Sequence, residues 1–466
     1  MKVAIISRKM IKPSSPTPNH HKNLKLSLLD QAFPPSFYAN TIFFYSSDSN
    51  SNHGHNYGGD VTSQQLAWER SDRLQKSLSK TLVAFYPFAG QLKDQVSVEC
   101  NDEGAYFVEA RSNCSLLEIL SKPEHKLLPH FIPAFNADEQ LGSAVLLVQF
   151  TVFNCGGITL GVSHSHKIAD ASSTCTFFQR WAASTLELES VNNHDRISAV
   201  NNHDQISAVL PEFVGSSLLP PSDMPFSSSY VMNMAPENLT TRRFVFSAPK
   251  IAILSDKISR LLQQCGINIT PTKVEVVSAV LFKCANAARR SSNPSATFKQ
   301  AVDLRRRISP PLPENAIGNL VWSFQLLVEN KDIKLHELVA EMRRGSAEFC
   351  NEKANRLKGE EGVSLVFEGN REEFEFGKMG IPMYCFASIW RHPMDEMDFG
   401  WGKPIWFTFH MCYKNTIMLL AGTRNDQDIE ALVTLEEQEM TRFQRDEMLL
   451  AVAAVNPSVV VSHCRM

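Results

Sequence analysis

Two histidines, His164 and His166, stand one residue apart inside GVSHSHKIADAS at 161–172, and Asp170 follows the second by four positions. Histidine has the side chain whose ordinary pKa lies nearest neutrality. It is therefore the natural base for taking a proton from an alcohol or thiol as that group attacks an electrophile. On an ideal strand both histidines point to the same face, so spacing alone does not choose between them. A histidine buried in an apolar strand would instead be held neutral by desolvation and serve packing. Two histidines and an aspartate also suggest a metal-ligand set, but no helical HExxH and no cysteine cluster accompanies them, and no metal is expected. No serine sits in a GxSxG elbow, which argues against a hydrolase and for direct transfer between two bound substrates.

The flanking sequence positions these groups. AVLLVQFTVFNC and ITLGVSHSH are β-rich runs joined at Gly156-Gly157, a tight hairpin that brings the histidines to a strand end. ADASSTCTFFQRWAAS then places Phe177, Phe178 and Trp181 on one helical face. Asp170 stands near its start, where a carboxylate caps free backbone N–H groups. The segment is thus a strand-to-helix turn. Upstream, NTIFFYSS reads as a strand, SDSNSNHGHNYGGD as a loop, and SQQLAWERSDRLQKSLSKTLVAF as a helix with Leu66, Leu74, Leu78 and Leu82 near helical spacing. QVSVEC and AYFVEA alternate as a hairpin pair, and IKPSSPTPNH runs extended over the surface, with globular structure beginning near Leu24. Downstream, TRRFVFSAPKIAILSDKISRLLQQCG is a strand then a helix, and FKQAVDLRRRISPPLPENAIGN a strand entering a proline-rich loop. MDFGWGKPIWFTF is a sharp loop feeding a strand, and EEQEMTRFQRDEMLLAVAAV the last helix.

At 466 residues the chain exceeds the size at which one hydrophobic core saturates, so two domains are expected. A polar tandem duplication, VNNHDRISA then VNNHDQISA, falls near the middle and reads as a loop insertion. The expected division is 1–190, a crossover at 191–235, and 236–466 carrying DFGWG. With 46 Lys and Arg against 49 Asp and Glu, a net charge of -3 and no basic block, the composition gives no footprint for nucleic acid or an anionic membrane. The expected partner is a small molecule. Ten cysteines without a CxxC pair read as reduced thiols. The N-terminus has no signal-peptide core, and no run approaches the roughly 18 apolar residues of a membrane span. These features predict a soluble, cytoplasmic protein.

HKIAD at 166–170 and DFGWGKP at 398–404 resemble the HxxxD and DFGWG motifs of the plant BAHD acyl-CoA-dependent acyltransferases. The similarity continues in KPSSPTP, LSLLDQ, SLSKTLVAFYPFAGQL, FNCGG, PPLPENAIGN and TLEEQEMTRF, in order along essentially the whole chain. The resemblance implies an α/β fold of two similar domains, each a mixed β-sheet flanked by helices in the chloramphenicol acetyltransferase manner, with a channel between them. It implies that His166, not His164, is the catalytic base, in a ternary complex without an acyl-enzyme. Asp170 then pairs with Arg305 and supports the site rather than completing a triad. The asparagine usual before that leucine-arginine pair is Asp303 here, and NDQDIEA lacks a glycine often found in the matching loop. Asp398, Gly400, Trp401 and Gly402 are architectural: glycine permits backbone shapes other residues resist, aspartate ties the loop and tryptophan packs. His164 is expected to pack in the core or to support the site from behind His166.

Within the family, ISRKMIKPSSPTP and LSLLDQAFP resemble the branch containing vinorine synthase and salutaridinol acetyltransferase. That implies transfer of acetyl from acetyl-CoA, a co-substrate rather than a bound cofactor, to an alkaloid or terpenoid alcohol. A monomer is implied as well. The alternatives are an acylsugar or other alcohol acyltransferase using a longer acyl-CoA, and an inactive family member acting as a binding protein.

Overall fold

The two apolar runs before the histidines become the middle of a sheet: all fifteen residues of β7 (Leu146–Val152) and β8 (Ile158–Ser165) are buried. This computed structural model describes residues 1–47, 63–134, 144–191, 210–223, 238–290, 293–423 and 425–459. The duplication and the loop after NTIFFYSS lie outside the described residues.

Strands β7 and β8 pair antiparallel, as the Gly-Gly hairpin predicts. They lie in a six-stranded mixed sheet ordered β1 (Val3–Ile11), β6 (Ala105–Ser112), β7, β8, β3 (Tyr38–Tyr45), β13 (Trp406–His410). The helices Ser63–Ala84 and Ala171–Val191 cover one face. Leu74, Leu78 and Leu82 of the first and Phe177, Phe178 and Trp181 of the second are buried in one core, and Trp181 Nε1 donates to Leu74 O at 3.2 Å and Ser77 Oγ at 3.0 Å. The 3-10 segment His125–Phe131 lies close against the sheet at Gly161, where a built Cβ would stand 1.9 Å from Phe131 O, so only glycine fits.

A second, seven-stranded mixed sheet is ordered β11 (Val321–Val328), β10 (Ala296–Asp303), β12 (Met383–Ser388), β14 (Thr416–Ala421), β15 (Ile429–Glu436), β9 (Leu239–Phe246), β16 (Ala453–Val455). The helices Ala248–Gln264, Lys273–Ala288 and Leu335–Glu348 contribute to its core. A small sheet joins β2 (Asn23–Lys25), β5 (Ser97–Glu99) and β4 (Gln91–Leu92). No helix among the described residues is long and apolar enough to cross a membrane.

Four expectations are corrected. The chain already pairs at Val3–Ile11, an edge strand antiparallel to β6. All nine of its residues are half-exposed or exposed, and a backbone ladder rather than a buried face holds it, so hydrophobic patterning cannot reveal it. QVSVEC and AYFVEA do not pair with each other: β5 joins β2 and β4, while β6 joins β1 and β7. Positive φ at Asp102 and Gly104 swings the chain between the two sheets. The last helix is two short ones, Glu437–Phe443 and Glu447–Val452, the second capped by the Asp446 side chain accepting from Leu449 N at 3.1 Å, followed by β16. Finally, the DFGWG segment does not pack with the half that encodes it. β13 pairs antiparallel with β3, and Ile389, Met397, Phe399, Trp401 and Phe407 join the first core. The sheet edge left by β3 is completed by a strand from the other half, and residues 411–415 cross directly from β13 to β14.

Candidate active site

β8 ends at Ser165, and His166 opens the turn, its backbone N donating to Phe37 O at 2.9 Å. The imidazole stacks on Phe33, with centroids 4.0 Å apart and planes at 22°, and lies 4.9 Å from Phe37, whose ring meets Tyr413 edge-on. Nδ1 is hydrogen-bonded to Asn319 Oδ1 at 3.1 Å. Among the described residues, no side chain is hydrogen-bonded to Nε2. Burial lowers the pKa of His166 below the ordinary histidine value, against its own backbone, Asp170 and Asn319, which favour the charged form.

His164 stands elsewhere. It is buried within β8, Nε2 is 3.0 Å from Thr174 Oγ1, and burial together with the neighbouring His166 pushes its pKa down to about 3. It is neutral throughout the physiological range. Lys167, between His166 and the helix, is also buried. Its Nζ donates to Gln95 O at 3.3 Å, and burial lowers its pKa to about 8.

Asp170 turns from His166 toward the second half. Oδ1 accepts from Ser173 N at 2.8 Å, capping the helix Ala171–Val191, and from Arg305 Nη2 at 3.1 Å. Oδ2 accepts from Arg305 Nη1 at 2.8 Å and Leu320 N at 3.0 Å. Arg305 further donates to Ser173 Oγ and, by Nε and Nη2, to Ala316 O. Burial alone would raise the Asp170 carboxyl; the fork-on-fork Arg305 guanidinium and Ser173 overcome it and hold it below the usual carboxylate range. The carboxylate is thus fully occupied by groups other than the imidazole.

Asp303, the departure from the family pattern, accepts from Arg305 N at 3.0 Å and from Arg305 Nη1 at 3.1 Å through the same Oδ1. An asparagine oxygen can take both bonds. With the Asp303 side chain 42 % exposed, Asp303→Asn is expected to change stability by no more than about 0.5 kcal/mol, read as an unchanged melting temperature.

The DFGWG loop is tied by Asp398 Oδ1, which accepts from Gly400 N at 2.8 Å and Gly402 N at 2.9 Å. Both glycines have positive φ, 101° and 94°, a conformation that a side chain would strain. Trp401 is buried against Phe399 and Tyr45, and the guanidinium carbons of Arg70 and Arg73 each lie 5.6 Å from its ring. These contacts anchor β13 to the first sheet; none of them reaches His166.

Sequence reasoning missed two residues beside His166. Asn319 Nδ2 donates to His166 O at 2.6 Å and to Asp30 Oδ1 at 2.9 Å, and Asn319 N donates to Asp30 Oδ1 at 2.8 Å. Asp30 comes from LSLLDQ and Asn319 from ENAIGN, segments that carried the family resemblance without a role. The described part of the crossover runs beside them: Leu28 N donates to Leu219 O at 3.1 Å, and Glu212 bridges Ala316.

Two mixed sheets flanked by helices, joined by interlocking loops around one stacked histidine, define this protein as a two-domain α/β acyltransferase when set beside known proteins. The chain belongs to the Transferase family, the BAHD acyltransferases, whose family description matches residues 1–450. It is 33% identical to limonoid 7-O-acetyltransferase of Citrus sinensis over 98% of this chain and 99% of that one. Akuammiline synthase 1 of Alstonia scholaris is 34% identical, with 97% of each chain covered. The crystal structure of vinorine synthase superposes with a TM-score of 0.75 at 27% identity, covering 98% of this chain and all of that one.

Proposed function

We propose that the protein transfers acetyl from acetyl-CoA to a hydroxyl of an alkaloid or terpenoid alcohol, with His166 as general base. The observation that carries this reading is the imidazole at the junction of the two sheets, held by aromatic rings and by Asn319 at Nδ1, with Nε2 free of side-chain partners among the described residues. Nε2 takes the proton from the acceptor hydroxyl while that oxygen attacks the thioester carbonyl. The tetrahedral intermediate then collapses, the carbon–sulfur bond breaks, and the departing thiolate recovers the proton from the imidazolium. Transfer is direct, both substrates being bound together beside His166. Relatives named as O-acetyltransferases support acetyl as the donor group and a hydroxyl as the acceptor. Phe33 and Phe37, nearly parallel, with Tyr413 edge-on to Phe37, offer an apolar aromatic surface beside His166 suited to a polycyclic acceptor.

The test is mass spectrometry of products after incubating the purified protein with acetyl-CoA and a panel of alkaloid, terpenoid and partially acylated sugar alcohols. A new acetyl ester of an alkaloid or terpenoid is the expected result. Esters formed only with longer acyl-CoAs or only on sugars would replace this substrate assignment, and no product with any donor would favour a binding protein.

A further inference from the structure

We infer that Asn319, held by Asp30, fixes the tautomer of His166 so that its lone pair lies on Nε2. The inference rests on His166 being the base and adds the residues that make it one. An amide has a donating and an accepting end, and the surroundings of Asn319 decide which is which. One neighbour of Nδ2 is the His166 carbonyl oxygen at 2.6 Å, which can only accept. The other, Asp30 Oδ1 at 2.9 Å, also accepts Asn319 N at 2.8 Å. Asp30 Oδ2 accepts Ser27 N and Ser27 Oγ, both at 2.7 Å. Burial raises the pKa of that carboxyl, against the Ser27 and Asn319 donors that favour its charged form; whatever its charge, Oδ1 accepts Asn319 N and is an acceptor toward Nδ2. Both neighbours therefore require the NH2 end of Asn319, and its Oδ1 is left facing His166 Nδ1 at 3.1 Å. Two acceptors cannot bond each other, so Nδ1 carries the hydrogen. A neutral imidazole has one N–H, and its lone pair then lies on Nε2, where a base needs it.

The arrangement also survives the proton transfer. When Nε2 becomes protonated, Nδ1–H keeps its acceptor, and Asn319 stays held by Asp30 Oδ1. Stacking on Phe33 and Phe37 restrains the ring from turning over. Asp170 cannot do this work, since its oxygens are taken by Arg305, Ser173 and Leu320. Asn319 is thus a positioning residue that acts through His166.

Long-range proton–nitrogen correlation spectra of protein labelled with nitrogen-15 in histidine read the tautomer directly, with His166→Ala assigning the His166 signals. The wild type is expected to show Nδ1–H, and Asn319→Ala a shift toward the Nε2–H form. With an acceptor from the product screen, Asn319→Ala is expected to lower kcat by about 10- to 100-fold, the loss of one charge-assisted hydrogen bond, while KM for both substrates changes less than about twofold. Its acid limb in the rate–pH profile moves to lower pH, because the imidazolium loses an acceptor. Asp30→Asn, which keeps the shape of the site, is expected to give the same two shifts at smaller size, and it carries the test if Asn319→Ala does not fold. A wild type with Nε2–H overturns the inference, as does an Asn319→Ala protein, or in its place an Asp30→Asn protein, with unchanged tautomer and kcat. Full turnover in His166→Ala would instead sink the base assignment while leaving the tautomer measurement standing.

Discussion

Replacing His166 by alanine is expected to lower the rate of ester formation by about 10²- to 10⁴-fold, the contribution of a positioned general base. The protein should remain folded, because the ring is half-buried at the junction, and its loss removes the contacts with Phe33, Phe37 and Asn319 rather than a member of either large core. The pH dependence follows from the direction of the shift. Burial lowers the pKa of His166, so the base is unprotonated at neutral pH, and activity is lost only as pH falls through that lowered value, below the ordinary histidine figure of about 6.5. Alkaline conditions leave this group in its active form. His164 provides the control. Held neutral with a pKa of about 3 and bonded to Thr174, it has no proton to exchange in the working range, and His164→Gln is expected to lower stability while keeping kcat per folded molecule. Rates measured by ester formation across pH in both variants decide the matter: activity surviving in His166→Ala but lost in His164→Gln reverses the assignment.

What could be seen in the sequence was local. The hairpin at Gly156-Gly157, the strand reaching His164 and the helix opened by Asp170 depend on neighbours within a few residues, and the spacing of apolar side chains reveals them. The edge strand Val3–Ile11 has no such signature, because backbone pairing with β6 rather than a buried face holds it. β13 reads clearly as a strand, but nothing local says that its partner is β3 in the other half, since two strands can pair at any separation once both are apolar. The same limit hid Asn319 and Asp30, which lie 289 positions apart and meet only because the loops after β10 and before β3 close on the histidine turn. Motif resemblance pointed to both segments without naming their chemistry; hydrogen-bond directions supply it.

Asp170→Asn is expected to be the most damaging single change to stability near the site. The pair with Arg305 is almost fully enclosed, with side chains 6 % and 8 % exposed, and neutralising one partner leaves a buried guanidinium facing an amide that can accept at only one end. Breaking such a pair from one side costs about 3–5 kcal/mol, which chemical denaturation and melting temperature will register. The sign of the pH dependence is fixed by the depressed carboxyl pKa. The stabilisation is present above the unfolded aspartate value of about 3.9 and is lost as pH falls through the lower folded value, so the wild type loses this contribution in acid while Asp170→Asn has none to lose there. A double variant separates this scaffold role from a triad. If Asp170 served His166 as the acid of a triad, Asp170→Asn would cut kcat by about 10⁴-fold in a stable protein, and changing Arg305 as well would recover nothing. If the pair instead braces the turn, Asp170→Asn with Arg305→Met removes the stranded charge and restores a large part of the stability, and activity recovers with it. The geometry favours the brace. Each carboxylate oxygen of Asp170 faces Arg305, Ser173 or Leu320, the same guanidinium also grips Ala316 three residues before Asn319, and one ion pair thereby holds both the turn that carries His166 and the loop whose Asn319 bonds its imidazole.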